Sequence, residues 1–193
     1  MGTMLESILR AAVPTLWVAW LLYWFVASRN MKATAWRESL PSQLLHRILF
    51  LLAAILLVEP RSLPAVLRER VLPPELASLA LGAVVVAAGL GFAVWARRHL
   101  GRNWSAAVTV KKDHALIRTG PYRYVRHPIY AGILLAFVGT AVWVGEWRGV
   151  AALLFAAMAV VYKITVEDQR LRETFPHFDQ YRRETAALIP FVF

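Results

Sequence analysis

The run Gly120-Pro121-Tyr122-Arg123-Tyr124-Val125-Arg126-His127-Pro128-Ile129-Tyr130 carries most of the chemistry legible in this chain. A proline after His127 pushes that histidine away from α geometry and suits the first position of a helix. A helix starting there turns backbone N–H groups and a positive dipole end toward whatever lies in front of it, a natural seat for a carboxylate. Tyr122 and Tyr130 flank that seat with aromatic faces able to hold a base or a sulfonium. The bland alternative is an aromatic and basic interface belt that holds no ligand.

A second polar segment, KITVEDQRLRETFPHFDQYRRETAALIPFVF, begins at Lys163. Lys163 and Glu167 are one helical turn apart, so they are either a simple i,i+4 ion pair or two groups facing a cavity. Leu171, Phe175, Phe178 and Tyr181 fit an amphipathic helix, interrupted by Pro176, with its aromatics anchored in lipid. Dinucleotide, Walker and His-Glu-x-x-His patterns are missing, and Gly89 and Gly91 sit in an apolar run where they serve helix packing. The histidines (His46, His99, His114, His127, His177) have no ligand spacing and the chain has no cysteine, so no metal is expected.

The elements that must position these residues follow from composition. The 193 residues are 59% hydrophobic and 18% charged, with 22 Lys+Arg against 12 Asp+Glu and a formal charge of +10. High charge beside high hydrophobicity implies segregation, with apolar blocks in lipid and basic blocks at its surface; a disordered basic tail is excluded. Five apolar blocks, at about 11–27, 44–58, 76–96, 129–145 and 149–166, predict an all-α integral membrane protein of about five transmembrane helices in one membrane domain. A soluble bundle would need polar stripes that these blocks lack. The first block also has some features of a signal peptide, with Arg10 ahead of it and Ala27-Ser28 behind, but its length and bulky aromatics favour a retained span. Pro14 is placed in that helix's first turn. His46 and Arg47 in the second block belong near an interface.

The connections sort by charge. Those after blocks one, three and five hold 17 of the 22 Lys and Arg, and the opposite side holds Arg10, Arg61, Arg68, Arg70 and Arg148. The positive-inside rule makes the rich side cytosolic, with the N-terminus outside and the C-terminus inside. Residues 97–130 and 163–193 then share the cytosolic face. Gly145–Gly149 is a tight turn that makes blocks four and five an antiparallel hairpin, and a pocket is expected between the loop before the hairpin, the hairpin and the C-terminal segment. Juxtamembrane basic residues point to anionic lipids of the cytosolic leaflet rather than nucleic acid.

At these positions the chain resembles the isoprenylcysteine carboxyl methyltransferase family, itself related to membrane phospholipid N-methyltransferases. The resemblance runs from about Gly101 to Pro190 and rests on Asn103-Trp104-Ser105, His114-Ala115-Leu116-Ile117, Gly120-Pro121-Tyr122, Arg126-His127-Pro128-Ile129-Tyr130, Glu167, and the Phe175, Tyr181 and Pro190 tail. It implies S-adenosylmethionine as methyl donor, leaving as S-adenosylhomocysteine, bound without a Rossmann fold. By the family's pattern His114, Ala115, Leu116, Ile117, Tyr122, His127, Pro128, Ile129, Tyr130 and Glu167 contact the cofactor. Thr109 stands at another cofactor-side position, where relatives often carry Gln or Glu. Lys163 stands where the family usually has an arginine facing the substrate carboxylate, and lysine lacks that planar fork. Arg126, Lys163 and Glu167 are the candidate catalytic residues; Lys163, Asn103 and Trp104 are the candidate acceptor contacts.

A methyl sulfonium is already activated, so the protein has chiefly to align donor and acceptor and exclude water. A carboxylate acceptor is ionised at neutral pH and needs no base, whereas a phosphatidylethanolamine amine must first lose a proton. No unambiguous base stands out, which favours carboxyl O-methylation of a membrane-borne, isoprenylcysteine-like or lipid-like acid. The alternatives are phospholipid N-methylation, an NADPH-dependent sterol-type reductase, and a non-enzymatic membrane scaffold.

Overall fold

A computed structural model describes residues 2–29, 34–37, 39–58, 60–101, 109–111 and 116–190. The elements are α1 (Gly2–Ala27), β1 (Thr34–Arg37), α2 (Leu40–Val58), α3 (Ala65–Arg68), α4 (Leu76–Leu100), β2 (Thr109–Lys111), α5 (Pro128–Val144), α6 (Trp147–Thr174) and α7 (Phe178–Glu184). Four helices, α1, α2, α4 and α6, are long and apolar enough to cross a membrane. The fourth apolar block forms α5, whose 17 residues span about 25 Å at 1.5 Å per residue, short of a hydrocarbon core about 30 Å thick. It nevertheless runs antiparallel along α4, because the two helices meet through glycine.

That seam is built from residues seven apart on each helix. A Cβ on Gly89 would lie 2.6 Å from the Gly132 carbonyl and 2.6 Å from the Ala136 nitrogen, and one on Gly139 would lie 2.6 Å from the Val86 nitrogen. Gly82 in turn faces Gly139 and Trp143. Backbones this close gain the van der Waals contact that drives helix association where there is no water to expel. Gly91 has nothing within 4 Å of its would-be Cβ, so of the two glycines read as packing residues only Gly89 packs.

Around this pair, α1 lies on α4 and α5, with the indole N–H of Trp17 donating to Thr140 Oγ1 (3.0 Å) and that of Trp143 to the Leu9 carbonyl (2.9 Å). In lipid an indole N–H needs such a partner. α1 begins at Gly2, with an Arg10–Glu6 pair in its early turns, so Pro14 lies inside the helix and not in its first turn. α2 packs on α6 through Ala53, Leu56, Ala152 and Ala156, which are buried with Phe137 of α5.

The contacts also sort the connections into two ends. At one end, β1 and β2 pair antiparallel (Trp36 with Val110, Arg37 with Thr109), joining the α1–α2 and α4–α5 connections. This short ladder is an addition to the all-α expectation. Arg97 at the end of α4 donates to the Ala27 carbonyl at the end of α1 (2.8 Å), and Tyr162 of α6 donates to Ser42 of α2 (2.8 Å). At the other end Arg148 donates to the terminal carbonyl groups Leu56 O and Leu57 O of α2 (3.2 and 2.9 Å). There Gly145, in the left-handed region at φ 65°, turns the chain from α5 into α6. The 60–75 stretch is irregular, with a 3-10 turn at Pro60–Ser62 and the one-turn α3. The three basic connections therefore share one end, called here the basic end.

The seam gives a direct prediction. Gly89→Leu forces side-chain atoms into the α5 backbone and should destabilise the detergent-solubilised protein by roughly 3 kcal/mol, the upper end of overpacking costs. Gly91→Ala should leave the melting temperature unchanged. Equal melting of the two variants would mean that the close approach is not what holds α4 and α5 together.

Candidate functional site

At the basic end the start of α5 is tied to the end of α6 by side chains three residues apart on one helix and adjacent on the other. His127 caps α5 with φ −122° and ψ 58°, outside helical geometry as its proline neighbour requires, and Pro128 takes the first helical position. The His127 ring is buried and its Nε2 is 2.7 Å from Asp168 Oδ1, while Nδ1 is 3.8 Å from Glu167 Oε2. One turn on, the Tyr130 hydroxyl donates to Glu167 Oε2 at 2.8 Å. The His127 and Tyr130 rings lie nearly parallel, 5.7 Å apart. Lys163 Nζ sits 5.6 Å from the Tyr130 ring centre, a cation–π distance. Lys163 and Glu167 thus both meet Tyr130.

Arg126 fastens the C-terminal segment to the same point. Its Nη1 donates to the carbonyl groups of Arg182 (3.1 Å) and Thr185, which lie where α7 ends and its carbonyls lack helical partners. Its Nη2 reaches Asp168 Oδ2 at 3.5 Å. The backbone N–H groups of Arg126 and His127 donate to Ala186 (2.9 Å) and Ala187 (3.0 Å), so residues 186–187 run beside the motif like a short strand. A guanidinium at a helix C-terminus also answers the negative dipole end there.

Tyr122 lies in a 3-10 turn (Gly120–Arg123) entered by Gly120 at φ 58°. A Cβ on Gly120 would strike the His99 imidazole at 2.6 Å, and that ring stacks 6.3 Å from Tyr122. Tyr122 is buried with Ile129, Ala96 and Ile117, and burial raises its phenol pKa, with the Glu167 charge adding to the rise. Tyr181 of α7 donates its hydroxyl to the Tyr122 carbonyl at 2.6 Å.

Of the candidate residues, the structure brings together Arg126, His127, Tyr130, Lys163 and Glu167, with Tyr122, Ile129 and Ile117 packed alongside. Pro128 is fully buried under them and Leu116 is partly buried at the edge of the described chain. Thr109 has its backbone in β2, but its side chain lies outside the described residues, as do Asn103, Trp104, His114 and Ala115. A cleft of about 970 Å³ opens beside the network between the Arg123–Arg126 turn, the last turns of α6 and the C-terminal segment. Of the candidates only Arg126 lines it.

Three features escaped the sequence. Asp168 holds both Arg126 and His127, although it differs from Glu167 by only one position. Phe178 and Tyr181, read as a lipid-facing anchor, are instead buried, with Tyr181 bonded to the turn before α5. The available signal was the break at Pro176, which leaves α7 only 7 residues, too short to bind a membrane surface by itself but well suited to fold back. The third is the use of α7's terminal carbonyl groups as partners of Arg126, which no residue type announces.

The donor set suits a cationic amino-acid cofactor of the sulfonium kind. A carboxylate (Glu167) held by a tyrosine hydroxyl, with the rings of Tyr122 and Tyr130 nearby, offers both charge and aromatic surface to a cation. Glu167 keeps about a third of its side-chain surface exposed, at 31%, so it is reachable.

The docking of α7 carries a pH prediction. Burial pushes the Tyr181 phenol up to about 12, against about 10 in an unfolded chain. The folded state therefore favours the neutral phenol, and its contribution is complete below pH ~10 and lost as pH rises through the folded value. Tyr181→Phe should cost about 1 kcal/mol at neutral pH, and the gap between wild type and variant should close in unfolding measurements as pH climbs from ~10 to ~12. A gap that stays constant over that range would mean that the hydroxyl is not held as the geometry has it.

Comparison with known proteins fits this arrangement. The family model described as phospholipid methyltransferase matches residues 77–177, from the first turn of α4 to the turn before α7. The chain is 37% identical over 94 residues to the cobalt-zinc-cadmium resistance protein CzcN of Cupriavidus metallidurans, covering 47% of this chain and 43% of that protein. It is 35% identical over 98 residues to the protein-S-isoprenylcysteine O-methyltransferase of Schizosaccharomyces pombe, covering 48% and 41%. It is 36% identical over 75 residues to the methanethiol S-methyltransferase of Crocosphaera subtropica, covering 37% and 28%. The matched stretch spans less than half the length of each of these curated relatives. The family model covers nearly all of α4, the Gly120–Tyr130 motif, α5 and α6, so His127, Tyr130, Lys163, Glu167 and the glycine seam behind them fall inside it. With more than half of its residues matched, this chain belongs to the phospholipid methyltransferase family.

Proposed function

We propose that the protein is an S-adenosylmethionine-dependent membrane methyltransferase that O-methylates the carboxylate of an isoprenylcysteine-like or lipid-like acid. The observation that carries the reading is the convergence of Tyr130, Glu167 and Lys163 at the start of α5, inside the stretch that the family model matches. When bound, the cofactor supplies an activated methyl group on a sulfonium. Glu167 and the rings of Tyr122 and Tyr130 hold that cation, and Tyr130 fixes the carboxylate of Glu167 through its hydroxyl. His127 is buried and its Nε2 is held by Asp168 Oδ1 at 2.7 Å, which makes it an anchor between α5 and α6. An acceptor that arrives ionised, a carboxylate, needs no base from the site.

Lys163 neutralises the acceptor carboxylate. As a point charge on a flexible stem it tolerates more acceptor geometries than the arginine fork of relatives. The isoprenylcysteine O-methyltransferase of S. pombe supports the carboxylate reading. The basic end, with 17 of the 22 Lys and Arg, faces the cytosol by the positive-inside rule, where a water-soluble donor and a bilayer-borne acceptor meet. Phospholipid N-methylation is the second reading, favoured by the description of the family model.

Product chemistry separates the two. Purified protein given methyl-labelled S-adenosylmethionine and a prenylated cysteine acid should yield base-labile, volatile counts, the mark of an ester. Base-stable counts on phosphatidylethanolamine, with none on the acid, would reverse the order of the readings. Lys163→Ala should raise the acceptor KM about tenfold or more, the size expected when a charged partner is lost, while S-adenosylhomocysteine affinity stays unchanged. Equal loss of both would contradict the division of roles.

A further inference from the structure

The cleft beside the network uses residues that the methyl-transfer reading leaves idle. It is lined by five arginines, Arg123, Arg126, Arg172, Arg182 and Arg183, supplied by the turn before α5, the end of α6 and α7. Its two acids are already engaged: Asp168 with His127 and Arg126, and Glu184 with Arg118. Arg172 is in turn paired with Asp179 at 2.8 Å. That leaves Arg123 and Arg183 as the lining charges that neither acid of the cleft offsets, while Arg182 shares the Asp168 charge with Arg126. Every cation of the lining is arginine, whose planar fork binds phosphate oxygens in pairs.

The make-up of the cleft narrows the ligand. Apolar Ile164, Ala187 and Pro190 line it together with the arginines. Ile164 lies on the apolar stretch of α6 and Arg172 two turns beyond it, so the lining passes from apolar to basic along about 12 Å of helix. Tyr124, more than half exposed at 58%, stands at the lip as an interfacial tyrosine does. A free anion has no use for the apolar members of the lining, whereas the headgroup and first chain carbons of a lipid match both kinds of residue.

We propose that this cleft binds the phosphate headgroup of an anionic membrane lipid, at a site separate from the acceptor's. Basic pockets at the ends of membrane helices are known to take such headgroups. Because its walls are α6, the Arg126 turn and the C-terminal segment, an occupied cleft clamps α7 against the start of α5. The site stands whether or not the methyl-transfer reading does, since none of Arg123, Arg182 and Arg183 belongs to it.

The test measures lipid retention by native mass spectrometry, and melting temperature, on the full-length protein in detergent. The additions are phosphatidylglycerol, phosphatidylcholine or inorganic phosphate. Phosphatidylglycerol should be retained and should raise the melting temperature, with phosphatidylcholine retained at least tenfold less and inorganic phosphate without effect. The double variant Arg182→Gln/Arg183→Gln should lose that preference, as should Arg123→Gln, which lies on a different element and guards against a folding defect in α7. Wild-type melting without lipid checks that each variant is folded. Equal retention of the two lipids, or undiminished preference in both variants, would overturn the proposal. A rise in melting temperature with inorganic phosphate equal to that with phosphatidylglycerol would overturn the assignment to a lipid.

Discussion

The ion-paired contact between the start of α5 and the end of α6 is the constraint on which the site depends. His127 and Arg126 on one side and Asp168 on the other are each at least four-fifths buried. Charges taken out of water to this degree destabilise the fold unless each finds its partner. The geometry supplies one: Asp168 receives His127 at 2.7 Å and Arg126 at 3.5 Å, and Arg126 Nη1 donates to the carbonyl groups at the end of α7. Removing Asp168 leaves the buried Arg126 guanidinium without its carboxylate, in surroundings that cannot solvate it. The network thus fixes three chain segments, far apart in sequence, to one spot.

The rest of the fold serves to bring those segments within reach. α5 must run back along α4 at backbone contact for its first turn to meet α6, and the glycines at 82, 89, 132 and 139 permit that approach. The tight left-handed turn at Gly145 then returns the chain as α6, so that the hairpin delivers residue 127 and residue 168 to the same end. α6 continues past its apolar stretch to Thr174, carrying the polar face that contains Glu167 and Asp168 beyond the lipid-like part of the bundle. A shorter α6 would leave Tyr130 with no carboxylate to bond.

Much of this was legible before any coordinates. Helix content, the antiparallel hairpin and the sharing of one end by the basic connections follow from apolar blocks and charge, and His127-Pro128 announced the start of α5. Tyr130 with Glu167 was legible only through resemblance, since nothing in the spacing of residues 130 and 167 says that they touch. Asp168 was hidden because a helix turns about 100° per residue, so adjacent acids serve different neighbours and the sequence does not say which. The inward course of Phe178 and Tyr181 was hidden for a related reason: an amphipathic pattern gives an apolar face, but whether lipid or protein covers it depends on where the Pro176 break sends the helix. The two-stranded ladder joins loops whose residue types carry no strand signal strong enough to read.

Calorimetric titration of S-adenosylhomocysteine onto the purified protein and its Glu167→Ala variant tests most directly whether Glu167 at the α5–α6 contact holds the cationic methyl donor, as proposed. Saturable one-to-one binding to the wild type, lost in the variant while its thermal unfolding stays cooperative, is the predicted result. Binding to a folded Glu167→Ala protein with unchanged affinity would contradict the account.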